Sequence, residues 1–283
     1  MDATPQLSLV IPAFNEAAVI QRAVSEAQAT LAERFERFEI LVVDDGSTDG
    51  TADEVEQLLS VAPNTRLLRH PINRGYGAAL RTGFEAARFD LIAFTDADCQ
   101  FDLADLAKMV PLAEHVPVVA GFRADRQDPW RRRFLSRGYN WLARNLLGTR
   151  VRDVDCALKV FRREALANLL PESHGFFVNT EMLTRAQQLG YDVAEVPVTH
   201  RPRLGGESKV SLREVPRTLR VLLAFWWTNV VRGAKPSRAS LRVAATRVVL
   251  HPHSEAAAPA PPRPRVTAAG LPAGPRGRRR GGA

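Results

Sequence analysis

The chain has 283 residues, 45% of them apolar, enough to bury one sizeable core, and a formal net charge of +8 that raises the question of a nucleic-acid or membrane partner. That charge sits at the end: residues 232–283 carry eleven Lys and Arg against one acid, Glu255, leaving 28 basic and 30 acidic groups before them. A near-neutral remainder argues against a nucleic-acid-binding enzyme face, and two cysteines, Cys99 and Cys156, at no zinc-ligand spacing, exclude a disulfide framework and fit a reducing compartment.

The opening MDATPQ lacks the basic and apolar pattern of a secretory leader. An apolar run at 7–11 (LSLVI) predicts a strand, followed by the polar turn PAFNE and a helix-like segment; 39–43 (EILVV) repeats the pattern. Further strands are predicted at 65–69, at 90–94 before the acidic turn TDADCQ, and at 116–121. This alternation predicts an α/β fold, a mostly parallel sheet with helices on both faces, whose ligands bind at the carboxyl ends of the strands. Beyond an Arg-rich stretch, a strand at 157–162, a helix near 180–189 and a strand at 194–199 complete a catalytic unit assigned to residues 1–210. Residues 211–232 read as an amphipathic, interfacial helical segment interrupted at Pro216 and ending in Trp226 and Trp227. Its apolar run, 221–231, is about half the roughly 20 residues that span a bilayer. Residues 233–283, rich in Pro, Ala, Arg and Gly, cannot bury enough apolar surface to offset ordering entropy, and disorder is expected there.

Chemistry concentrates at three strand ends. Asp96 and Asp98 follow an apolar strand, so alternate residues of an extended segment would present two carboxylates to one divalent cation while the small Ala97 turns aside. A hard cation held by one or two carboxylates, with water and phosphate oxygens completing its shell, suits a diphosphate substrate. The alternative is an acidic turn with solvated side chains. Asp44-Asp45-Gly46-Ser47 ends the second strand, where its carboxylates either accept hydrogen bonds from a base or ribose, or Asp44, Ser47 or Thr48 caps the next helix. In IPAFNE, Pro12 stiffens the turn, Phe14 is available to a base and Glu16 to a ribose hydroxyl, with Asn15 as the competing helix cap. Gly75, Gly77 and Gly83 read as a tight turn and close helix packing, Cys99 as a small filler, and the histidines as no metal site. In WRRRFLSRG, Trp130 and Phe134, with Trp141 beyond, interleave with arginines at spacings suited to an interfacial helix.

IPAFNE, VVDDGSTDGT, NRGYGAALRTGFEAA, DADCQ, GFR and KVFRRE, in that order, resemble the family 2 glycosyltransferases with a GT-A fold, and most of all their polyprenyl-phosphate (dolichol-phosphate mannose synthase-like) members. The resemblance covers about residues 7–210. It implies that Pro12, Phe14 and Glu16 line the nucleotide with Val43 and Asp45, that Asp96 and Asp98 flanking Ala97 hold Mg²⁺ or Mn²⁺ with Gln100 as a further ligand or donor contact, and that Arg123, Arg132 and Lys209 bind phosphate. It further implies an inverting transfer of a hexose from a GDP-mannose or UDP-glucose type donor to a polyprenyl phosphate. A phosphate monoester is already ionised and needs no strong base, whereas a hydroxyl acceptor would need one from Asp153, Asp155 or Glu181. The expected partners are a nucleotide-sugar donor, a lipid-phosphate acceptor and a membrane surface or membrane protein, with the enzyme cytoplasmic and peripheral on the inner face of the plasma membrane. The competing expectations are a hydroxyl acceptor on a soluble glycan and a non-catalytic nucleotide-binding protein.

Overall fold

The computed structural model describes residues 5–125, 130–202 and 214–232. The chain runs β1 (Leu7–Ala13), α1 (Ala17–Ala32), β2 (Phe38–Asp44), α2 (Thr51–Leu58), β3 (Thr65–Arg69), α3 (Tyr76–Ala86) and β4 (Leu91–Phe94), the alternation expected from the sequence. It continues through α4 (Leu106–Ala113), β5 (Val118–Arg123), α5 (Trp130–Leu147), β6 (Lys159–Arg162), α6 (Arg163–Leu169), α7 (Val178–Gln188), β7 (Val193–Val198) and α8 (Glu214–Trp226). The seven strands form one sheet in the order β3-β2-β1-β4-β6-β5-β7, in which only β6 runs antiparallel to its neighbours. Every residue of β1 and β2 is buried, which requires cover on both faces and explains why these strands read as continuous apolar runs.

The order places a topological switch between β1 and β4. From β1 the chain winds outward to β2 and β3, then returns to β4 on the opposite side, opening a crevice at the carboxyl ends. A buried polar network pins the register beneath it. Ser8 donates to Glu39 at 2.8 Å, Arg66 pairs with Glu39 at 2.8 Å, and the Arg88 and Phe89 amides return to Glu39 and Ser8 at 2.6 and 3.1 Å.

Three local expectations are corrected. Pro12 is not in a turn but in β1, opposite Val43 of β2. It is tolerated because pairing with β4 stops at Val10, so the missing N–H on that side costs no ladder bond. Asn15 does not cap α1, since Glu16 holds that position and Asn15 adopts a left-handed conformation with φ of 51°. Pro216 does not interrupt α8 but occupies its first turn, where proline is tolerated. The expected tail at 233–283 lies outside the described residues.

Helix α3 lies tightly on the sheet because Gly83 has no side chain: a Cβ there would stand 2.3 Å from Val10 Cγ1 and 3.2 Å from Val43 Cγ2. Gly83→Ala gains up to about 1 kcal/mol of helix propensity but overpacks the interface at a cost of about 1–3 kcal/mol. We therefore expect net destabilisation, read as a lower urea midpoint; a raised midpoint would show that α3 can shift outward freely.

Candidate active site

The carboxyl ends of β1 and β2 are stitched together by their own loops. The Asn15 amide donates to Ser47 Oγ at 2.9 Å while Asn15 Oδ1 accepts from the Thr48 amide at 2.9 Å. The Glu16 and Ala17 amides donate to Thr51 Oγ1 and Asp49 Oδ2 at 2.8 and 3.0 Å, satisfying first-turn donors of α1 from the neighbouring loop. Neither Asp44, Ser47 nor Thr48 caps α2; Asp49 accepts from the Thr51 amide at 3.0 Å, and Asp44 receives the Ser47 amide at 3.1 Å. Phe14 stays half-buried at the rim and Glu16 is buried just behind it.

Val43 and Asp45 are not placed as expected. The Val43 side chain is fully buried against α3, so only its backbone faces the crevice. The buried Asp45 carboxylate binds protein rather than an open space: it accepts the Arg74 amide at 3.0 Å and the Gly75 amide at 2.7 Å, and meets His70 Nδ1 at 2.6 Å. It shapes the wall by folding residues 70–75 over the strand end. Gly75 has φ of 96°, and a Cβ on Gly77 would sit 1.9 Å from the Ser173 carbonyl oxygen, so these glycines serve the turn and the close approach read from the sequence.

Beyond β4 the chain does not stay extended. Residues 97 and 98 form a turn, Cys99 takes a left-handed conformation with φ of 57°, and the Ala97 methyl joins the core. The turn still brings the two acids together. Asp96 is half-buried at the crevice and Asp98 is buried beside it. Burial, then the Asp98 charge, pushes the Asp96 carboxyl up to about 6, against a hydrogen bond from Tyr76 and the more distant charges of Lys159 and Arg123. Asp98 Oδ1 accepts the Gln100 amide at 3.1 Å, and the Gln100 side chain donates to the Arg201 carbonyl at 3.3 Å. Arg201 in turn pairs with Glu26 at 2.5 Å and Asp102 at 2.8 Å, clamping the segment after β7 onto this turn. Among the described residues no three His, Cys, Asp or Glu side chains gather as a metal cage. Two adjacent carboxylates, with the proton affinity of Asp96 raised, instead fit a cation that takes most of its ligands from a diphosphate and water.

On the other side of the crevice, Arg123 at the end of β5 binds Asp153 in bidentate fashion at 2.7 and 2.8 Å. Burial opposes the Arg123 charge, but the Asp153 carboxylate more than offsets it and raises the proton affinity of the guanidinium. Glu181 is corrected: it is buried, accepts the Glu172 and Ser173 amides at 2.9 and 2.8 Å and pairs with Arg185 at 2.9 Å, so it builds the loop at 170–177 rather than meeting a sugar. Asp155 is half-buried nearby. Lys209 and the side chain of Arg132 lie outside the described residues. Burial raises both thiols, Cys156 to about 12, which leaves neither cysteine as a nucleophile.

Three side chains escape a motif-by-motif reading. Tyr76 donates its hydroxyl to Asp96 at 2.8 Å. Lys159 in β6, 0% exposed, gives its ammonium to the Cys156 carbonyl, to the Val154 carbonyl at 3.2 Å and to Asn179 Oδ1 at 3.0 Å. The only signal for Lys159 was a lysine inside the apolar strand ALKVF; Tyr76 and Asn179 had none.

The profile described as Glycosyl transferase family 2 matches residues 8–170, more than half the chain. The chain belongs to this family. Undecaprenyl-phosphate 4-deoxy-4-formamido-L-arabinose transferase of Edwardsiella ictaluri is 31% identical over 230 residues, 80% of this chain and 70% of that protein. Glycosyltransferase AglD of Haloferax volcanii is 36% identical over 241 residues, but the match spans only 38% of AglD's length. Among solved structures, glucosyl-3-phosphoglycerate synthase from Mycobacterium tuberculosis in complex with phosphoglyceric acid superposes with a TM-score of 0.61 at 25% identity, over 79% of each chain. The same enzyme in complex with Mn²⁺, uridine-diphosphate-glucose and phosphoglyceric acid gives a TM-score of 0.59 at 26% identity, again over 79% of each chain. The family 2 protein is thus a glycosyltransferase with a GT-A fold, as its mostly parallel sheet already indicated.

The Asp96 carboxyl, near 6 folded against 3.8 for the free group, binds its proton more tightly in the native state. Its contribution to stability therefore falls as pH rises from about 4 to 6 and stays lowest above that. In metal-free buffer Asp96→Asn is expected to raise stability at pH 7.5 by about 1–2 kcal/mol, the gain shrinking towards pH 4. A pH-independent difference in chemical unfolding would contradict this electrostatic origin.

Proposed function

We propose that this family 2 enzyme transfers a hexose from a nucleoside diphosphate donor of the GDP-mannose or UDP-glucose type to a polyprenyl phosphate, with inversion at the anomeric carbon. The donor lies in the crevice between β1 and β4, with Phe14 and Glu16 along the nucleotide and the backbone of Pro12, Val43 and Ala97 beneath it. Asp96 and Asp98 hold Mg²⁺ or Mn²⁺, with Gln100 beside them, and when bound the cation neutralises the departing diphosphate. Arg123 presents a fixed positive charge on the acceptor side, with Arg132 and Lys209 as further phosphate-binding cations.

The observation that carries the acceptor assignment is the state of the nearby acids. A hydroxyl acceptor needs a base, yet Asp153 is bound at both oxygens by Arg123 and Glu181 is consumed by its own loop. An ionised phosphate attacks without one. The Edwardsiella relative, an undecaprenyl-phosphate transferase, agrees with this choice. The likeness to glucosyl-3-phosphoglycerate synthase favours a second reading, a soluble hydroxyl acceptor with Asp155 as base.

For a lipid acceptor, the face to offer the membrane is the pair α5 and α8. Leu222, Phe225 and Trp226 pack α8 against Leu147 and Phe177, while Phe134 (72% exposed), Trp141 (64%), Leu223 and Trp227 (50%) stay outward. Arg232 lies over the Trp227 ring at 6.0 Å, and the basic residues 233–283 follow. Aromatic and cationic groups together suit an anionic bilayer surface, with the catalytic unit (1–210) held peripherally on its cytoplasmic side. No helix among the described residues is long and apolar enough to cross a membrane.

The test is transfer of label from a panel of nucleotide sugars, with Mn²⁺ or Mg²⁺ and a polyprenyl phosphate supplied in vesicles. Metal-dependent, organic-extractable label is expected, and Asp96→Ala with Asp98→Ala should abolish it while leaving the fold intact. Label only in a water-soluble product would move the assignment to the hydroxyl acceptor.

A further inference from the structure

The Tyr76 ring is held by the loop at 170–177. It stacks on Phe176 with centroids 5.6 Å apart, and its helix is fixed to the same loop by the Gly77 amide donating to the His174 carbonyl at 2.9 Å. Its hydroxyl reaches Asp96 at 2.8 Å. The Lys159 ammonium can only donate, so Asn179 turns its carbonyl oxygen to it, at 3.0 Å. The Tyr76 phenol has its own proton to give, and the acceptor within reach is Asp96.

We propose that Tyr76 is a positioning residue for sugar transfer: held by its stack on Phe176, its hydroxyl holds the Asp96 carboxylate in the orientation that receives the divalent cation. This rests on the donor-site reading above. A residue hydrogen-bonded to a metal-ligating carboxylate fixes its rotamer, and losing such a partner typically costs 10–100-fold in metal affinity. The same arrangement ties the carboxylate to the loop at 170–177, whose far side Glu181 secures.

The experiment is a titration with Mn²⁺, alone and with UDP or GDP present, followed by the electron paramagnetic signal of the ion, on the full chain and on Tyr76→Phe, with thermal midpoints recorded for each. Tyr76→Phe keeps the ring and its stack on Phe176 and is expected to weaken Mn²⁺ binding about tenfold. In turnover it should raise the metal concentration needed for half-maximal rate while leaving kcat at saturating metal near native. A thermal midpoint near native in Tyr76→Phe would place the loss at the site rather than in the fold. Native affinity in Tyr76→Phe would overturn the positioning role alone. A native chain that binds no Mn²⁺ even with UDP or GDP present would instead overturn the donor-site reading, and this role with it.

Discussion

Two carboxylates, Asp96 and Asp98, are held together at a half-buried strand end against their mutual repulsion, and the geometry of the crevice follows from how that repulsion is contained. Asp96 is pushed well above the carboxylate range first by burial and then by Asp98. Against this stand the Tyr76 hydroxyl, the buried Lys159 ammonium and the Arg123 guanidinium, none of which neutralises the pair outright. A site left with unbalanced negative charge in a low-dielectric setting is poised for a cation and disfavoured without one. Stability is given up at the pair proposed to hold the cation.

The sheet supplies the frame for that arrangement. Because β1, β2 and β4 run parallel, their carboxyl ends reach one edge, and the switch between β1 and β4 opens the crevice there. The loops are then bound to each other more than to their own helices: Asn15 to residues 47 and 48, Asp45 to residues 74 and 75, Arg201 to the acidic turn. Two non-glycine residues with left-handed backbones, Asn15 and Cys99, lie in two of these loops, so conformational strain is concentrated at the active edge rather than spread through the core.

The runs of β1 and β2 were legible because parallel strands covered on both faces are continuously apolar, and all seven strands of the sheet form close to where the sequence placed them. The pairing of Asp96 with Asp98 at the crevice was legible because two carboxylates stand straight after an apolar run, in company with IPAFNE and DDGS at two other strand ends. Two misreadings share one cause: the residue's partners lie in a loop that the local pattern does not reveal. Asp45 looked like a ribose ligand because the Arg74 and Gly75 amides are distant in sequence, and Glu181 looked available because nothing local revealed the loop it closes. Pro12 read as a turn residue because the short reach of β4 beside it could not be seen. Tyr76 and Asn179 carried no signal, since their chemistry comes from a chain of contacts across α3, β6 and α7.

The most direct test of the carboxylate pair as the donor cation site is crystallographic. Crystals grown with Mn²⁺ and UDP or GDP should show, at the manganese absorption edge, an anomalous peak between the Asp96 and Asp98 side chains and in contact with the diphosphate. A diphosphate bound in the crevice with no peak there, or with the metal held elsewhere, would contradict it.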